Sequence, residues 1–242
     1  VYISQLANLV LPMRLGDISR MYVLKKTKSV SLPDGFSSVA IERIYDVLAI
    51  GLIAVLALLG VSTAHEWMVY LSIAALGISF TFVLILYALA HSRTLSERLA
   101  HGLPLLTEPV LKIVADVSRS STTPTTFASL MLFSLAIWLF DIATCVLVLM
   151  GLGVSASLWL VALAVAIANI VKVVPFTPGG IGQYEVALAA VLVLGGFSPV
   201  LCVSAAILDH LMKNVITLVV GGVVFLRYNL KWSEFTSMES TA

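Results

Sequence analysis

Charged side chains interrupt two runs that are otherwise apolar enough to cross a bilayer. Glu42, Arg43 and Asp46 fall within Phe36–Val61, and Asp209 and Lys213 fall within Val200–Leu226. A charge near the bilayer centre costs at least roughly 2.5–3.5 kcal/mol on insertion scales. These side chains must therefore face protein or water. Their spacing lets them meet. Glu42 and Asp46 share a helix face, Arg43 stands three before Asp46, and Asp209 and Lys213 form an i,i+4 pair. Two kinds of chemistry suit them: static ion pairs that lock helices together, or the lining of a path for a charged ligand. Asp141 is the one charge in Thr125–Gly153. It completes a network with Arg43 or Lys213, or it marks a polar cavity.

Two Pro/Gly breaks accompany these spans. The first is NLVLPMRLGDISR, with Asn8, Pro12, Arg14, Gly16 and Asp17. The second is VPFTPGGIGQYE, residues 174–185, with Gly179, Gly180 and Glu185. Each unpaired backbone amide or carbonyl facing hydrocarbon costs several kcal/mol, so a break at membrane depth is buried in protein or lines a polar cavity. Arg14, Lys172 and Lys213 concentrate positive charge near the breaks, which suits a phosphate-bearing head group. The helix start after Gly182 adds exposed amides and a partial positive charge. Glu185 stands in that first turn. It stabilises the helix start, or it binds an amine or a proton in the cavity.

The two halves follow one pattern. Asp17 precedes Glu42 by 25 residues, and Glu185 precedes Asp209 by 24. Each half reads as a broken apolar segment, a carboxylate, and then a helix with acid–base groups inside the membrane. Interrupted segments at corresponding places in two halves point to a midplane transporter site. The expectation is an internal repeat, inverted rather than parallel.

The elements that must hold these residues are apolar helices. The chain has 242 residues, 60% hydrophobic and 11% charged, with a mean hydropathy of +1.07. This composition places it among polytopic, all-α integral membrane bundles with re-entrant or broken helices. The expected spans are 36–61, 67–90, 125–153, 154–172 and 200–226, with 184–196 too short to cross alone. Residues 94–119 read either as amphipathic helices at the interface or as a packed connector, and 118–126 as a polar loop. Lys and Arg cluster at Arg20–Lys28, at Arg93–Arg119 and at Arg227–Lys231. The positive-inside rule puts these, and the tail 231–242, in the cytoplasm. The first residues lack a basic n-region, so a start inside the domain is expected, with spans missing before it. The membrane domain is read as 1–230.

Other chemistry is not signalled. Cys145 and Cys202 lie within spans and read as small apolar residues. His65 and His91 lie near span ends and read as solvated. No metal-ligand or nucleotide-binding motif occurs, so no cofactor, metal or catalytic residue is expected. A net charge of +1 suggests no nucleic acid partner.

In order and spacing, NLVLPMRLGDISR, IERIYD and PFTPGGIGQYE resemble the flippase-like membrane domain of bacterial lysylphosphatidylglycerol synthases. The resemblance covers nearly the whole chain. It carries over Asn8, Pro12, Arg14, Gly16 and Asp17, then Glu42, Arg43 and Asp46, then Pro178, Gly179, Gly180, Gly182 and Glu185. It implies a helical membrane domain with re-entrant segments that moves anionic or aminoacylated phospholipids, or lipid-linked sugars, between leaflets. The synthases' aminoacyl-transferase chemistry is not carried over. Three functions remain: a lipid translocase; a non-catalytic membrane partner of a separate synthase or glycosyltransferase; and a membrane-embedded transferase using Glu42, Asp46 or Glu185 as a base.

Overall fold

The computed structural model describes residues 2–10, 16–17, 20–21, 24–25, 30–62, 64–91, 115–116, 124–174 and 177–227. Arg14, the tail and most of 92–123 lie outside these residues, so the amphipathic reading of 94–119 does too. The described elements are helical: α1 (Tyr2–Val10), α2 (Leu32–Leu58), α3 (Glu66–His91), α4 (Pro124–Gly151), α5 (Leu158–Val171), α6 (Gln183–Leu194) and α7 (Pro199–Arg227). A 3-10 turn, Pro178–Gly180, stands between α5 and α6. No strand occurs among the described residues.

Three stretches are long and apolar enough to cross a membrane: Glu66–Ile85, Pro124–Gly151 and Pro199–Arg227. α2 matches them in length, at 27 residues, but carries Glu42, Arg43 and Asp46. Ser31 starts α2 by accepting a hydrogen bond from the Asp34 amide. Ser157 does the same for α5 through the Leu160 amide, at 3.3 Å. That cap shortens the span expected over 154–172 to 14 residues. At 1.5 Å per residue α5 reaches about 21 Å, short of a hydrocarbon core of about 30 Å.

α5 is the core of the bundle. Leu163 to Ala168 are fully buried, as befits a helix apolar on every side. α2, α3, α4 and α6 all pack on it. A β-carbon added to Gly195, just after α6, would lie 2.3 Å from Leu160 Cδ2, at the start of α5. α5 and α6 therefore run antiparallel as a re-entrant hairpin, with residues 172–174 and 177–182 at its tip. α1 packs on α7 and on the 3-10 turn. Ser37 Oγ donates to Asp116 Oδ2 at 2.5 Å, tying the connector to α2. The outward faces of α3, α4 and α7 carry Phe80, Phe133, Phe140 and Val219, the apolar exterior that lipid requires.

α1 and α5 end on the same kind of sequence, Ala7-Asn8-Leu9-Val10 and Ala168-Asn169-Ile170-Val171. α1 is helical to Val10, within its break sequence, and α5 ends at Val171, just before its break. α1 of the first half packs on α7 of the second, and α5 of the second half packs on α2 of the first. The packing is reciprocal between the halves.

Candidate functional site

The two breaks meet. A β-carbon on Gly179 would stand 3.1 Å from Leu9 Cδ1. Between the breaks and the charged spans opens a polar cleft of about 440 Å³. Arg43, Asp46, Asp141, Lys172, Tyr184 and Lys213 line it, as do Asn8, Asn169, Gly179, Gly180 and His210. His210 and Lys213 lie near the middle of the 29-residue α7, about 17–21 Å from its start. The cleft therefore reaches the middle of α7.

In the first half Asp17 holds the centre. Its Oδ1 accepts from Ser4 Oγ at 2.6 Å, Asn8 Nδ2 at 3.2 Å and Arg43 Nη2 at 3.1 Å. Gly16 N donates to Asn8 Oδ1 at 2.8 Å, so Asn8 ties α1 to the segment after its break. Arg43 Nη1 also lies 3.7 Å from Asp46 Oδ2. Ser134 Oγ donates to Asp46 Oδ1 at 3.1 Å. Glu42 turns away from the cleft and pairs with Arg20.

In the second half Lys213 holds the centre. Its Nζ lies 3.0 Å from Asp141 Oδ1 and 2.8 Å from Asp209 Oδ2. It also donates to Tyr184 Oη at 2.8 Å, and Tyr184 in turn donates to Asp209 Oδ2 at 2.7 Å. Asn169 Nδ2 donates to Asp141 Oδ2 at 3.1 Å. Glu185 serves two partners: Oε2 accepts from Gly182 N at 2.7 Å, and Oε1 lies 2.7 Å from His210 Nδ1. Lys172 Nζ stands 3.4 Å from His210 Nε2.

The halves correspond side chain by side chain. The first break's carboxylate, Asp17, binds Arg43, 26 positions on. The second break's carboxylate, Glu185, binds His210, 25 positions on. Each bound base directly follows an acid, Glu42 or Asp209.

Gly180 explains the turn. Its φ of +75° is a backbone conformation that glycine adopts at little cost. A β-carbon there would fall 2.6 Å from Lys172 Cγ. The bare backbone leaves the Lys172 stem its course along the cleft wall.

The cleft thus collects Asn8, Arg43, Asp46, Asp141, Lys172, Gly179, Gly180 and Lys213 of the residues picked out from sequence. Asp17, Glu185 and Asp209 stand behind it, each on a lining side chain. Tyr184, Asn169 and His210 were missed, though the repeated Ala-Asn-(Leu/Ile)-Val could have found Asn169. Two buried polar atoms here have no partner among the described residues, Arg43 Nε and Asp209 Oδ1. No group of three or more His, Cys, Asp or Glu able to hold a metal ion occurs among them.

Residues 1–221 match the family described as lysylphosphatidylglycerol synthase TM region. The chain belongs to this family. It is 30% identical to "Glycosyltransferase AglD" of Haloferax volcanii, over all of this chain and 44% of that protein. It is 25% identical to a "UPF0104 membrane protein" of Methanothermobacter thermautotrophicus, over 88% of this chain and 68% of that one. A "UPF0104 membrane protein" of Methanocaldococcus jannaschii is also 25% identical, over 90% of this chain and 92% of its own length. The chain thus spans less than half of the Haloferax protein. No solved structure matches it. Membership of the family and the apolar helices make the chain a membrane protein.

Proposed function

We propose that the cleft binds the phosphate-bearing head group of a membrane lipid and that the domain carries that lipid between leaflets. One observation carries the reading: Arg43, Lys172 and Lys213, cations from three elements, line a single cleft that reaches the middle of α7, between two broken segments. Helix locking alone would not need such a cleft, because apolar residues replace a buried ion pair at little or no cost. An anionic or aminoacylated phospholipid and a lipid-linked sugar share this head-group chemistry. The lipid's acyl or polyprenyl chain stays in the bilayer while the head group passes through the cleft.

Proteoliposomes test the reading. Labelled phosphatidylglycerol is placed in both leaflets, and a membrane-impermeant quencher reads the outer fraction. The domain should make inner-leaflet label accessible faster than in protein-free vesicles, and faster than it does for zwitterionic phosphatidylcholine. Equal rates with and without the protein would refute translocation of this class of lipid.

The Haloferax relative favours a second reading. It is named a glycosyltransferase, and this chain spans 44% of it. The domain would then be the membrane partner of a separate glycosyltransferase or synthase, holding a lipid substrate for it. Such a protein would bind the lipid without changing its leaflet.

A further inference from the structure

Among the described residues the carboxylates around the cleft outnumber the cations. Among the described residues Arg43, Lys172 and Lys213 line it together with Asp46 and Asp141. Asp17, Asp209 and Glu185 stand directly behind, in contact with Arg43, Lys213 and His210. Three cations therefore meet five carboxylates. Glu42 does not alter the balance, because Arg20 pairs with it. An anionic head group would deepen the excess in a site where charge interactions are screened less than in water. It has to enter with compensating positive charge.

His210 can supply that charge. Histidine is the side chain whose ordinary chemistry changes charge near neutrality. A lysine ammonium has protons to donate and no lone pair, so His210 Nε2, 3.4 Å from Lys172 Nζ, is the accepting nitrogen. Nδ1 then carries the ring proton and donates it to Glu185 Oε1 at 2.7 Å. The imidazole is neutral in this arrangement, with its Nε2 lone pair turned toward Lys172. An anion that draws the Lys172 ammonium to itself takes away that donor and brings negative charge beside Nε2. Both changes favour a proton on Nε2. The groups acting on His210 are Glu185 and Tyr184 from α6, Lys172 at the end of α5, and Asp209 on α7 itself, which Lys213 pairs. Asp141 of α4 acts through Lys213. α1 brings the uncharged Asn8 to the same cleft.

We infer that the cleft is a proton-linked anion site: a phosphate-bearing head group bound between Lys172 and Lys213 is accompanied by one proton, taken up at His210 Nε2. The inference rests on the head-group reading of the cleft. The proton comes from solvent at the cleft mouth, an N–H bond forms on the Nε2 lone pair, and no bond of the lipid breaks. Linkage is reciprocal, so protons tighten lipid binding as much as lipid tightens proton binding. A proton gradient across the membrane would then bias the direction of lipid movement.

Calorimetry on the purified chain in detergent tests this. The probe is a short-chain phosphatidylglycerol, whose phosphodiester does not titrate near neutrality. Titrations in two buffers of different ionisation enthalpy give the protons taken up per anion bound. Uptake should approach one proton, and the Kd should weaken with rising pH by up to about tenfold per unit between about pH 6 and 8. His210→Gln should bind without uptake. Glu185→Gln removes the negative charge facing the ring and should move the pH dependence to lower pH, an independent check should His210→Gln misfold. Glycerophosphoglycerol, the same head group without acyl chains, should bind more weakly; equal affinity would overturn a lipid source. Binding without proton uptake in the parent, or undiminished uptake in folded His210→Gln, would overturn the proton linkage and leave the head-group reading standing. A folded parent that binds neither probe would overturn both.

Discussion

Lys213 is shared between two carboxylates, Asp141 and Asp209, and this decides how it can be tested. Lys213→Met leaves both acids unpaired. It should cost about 3–5 kcal/mol, seen as a lower unfolding temperature in detergent. Removing Asp209 together with Lys213 would still strand Asp141. The triple change Asp141→Asn, Asp209→Asn and Lys213→Met removes all three charges and keeps acceptors for Tyr184 and Asn169. It should unfold near the parental temperature; a drop as large as that of Lys213→Met would show that the network has a structural role beyond its charge balance. At this scale sequence showed the Asp209–Lys213 pair, because i,i+4 spacing fixes it within one helix. It left Asp141 with two options, because contacts between helices have no spacing to read. Tyr184 and His210 were hidden for another reason. A single polar residue in an apolar run has no period. His210 lay within reach all the same, since it follows Asp209 as Arg43 follows Glu42.

The breaks are the elements that sequence marked best, because proline and glycine change backbone chemistry wherever they occur. Their approach to each other was expected from the matched spacing of the two halves, and α5 and α6 folding back as a hairpin brings Gly179 to Leu9. Sequence did not mark Ser157 as the cap that shortens α5. Two glycines at the tip separate shape from conformation. Gly180 and Gly182 both have positive φ, +75° and +84°. An added β-carbon meets the Lys172 stem at Gly180 and nothing within 4 Å at Gly182. Each alanine substitution should cost about 1–3 kcal/mol in backbone strain. Gly180→Ala should in addition displace Lys172 and weaken phosphatidylglycerol binding several-fold more than Gly182→Ala. Equal binding by the two variants would show that Lys172 does not contact the anion.

For the whole molecule, the charge distribution predicts orientation. Single cysteines at 24–25 should label from the cytoplasmic side, and those at 62–66 and 151–157 from outside. Native Cys145 and Cys202 are buried and add little background. External labelling of Lys25→Cys would reverse the topology. The fold class was legible in composition, since so many apolar residues leave few soluble alternatives. The repeat expected from spacing has a counterpart in the packing of α1 on α7 and of α5 on α2, which does not by itself establish a symmetry between the halves. The claim that joins these scales is that the cleft cations move a lipid head group. Its most direct measurement is phosphatidylglycerol translocation in proteoliposomes by the parent and by the triple variant, with matched insertion and unfolding temperature. The account predicts fast translocation by the parent and a rate near that of protein-free vesicles for the variant. A folded variant that moves lipid at the parental rate would contradict it.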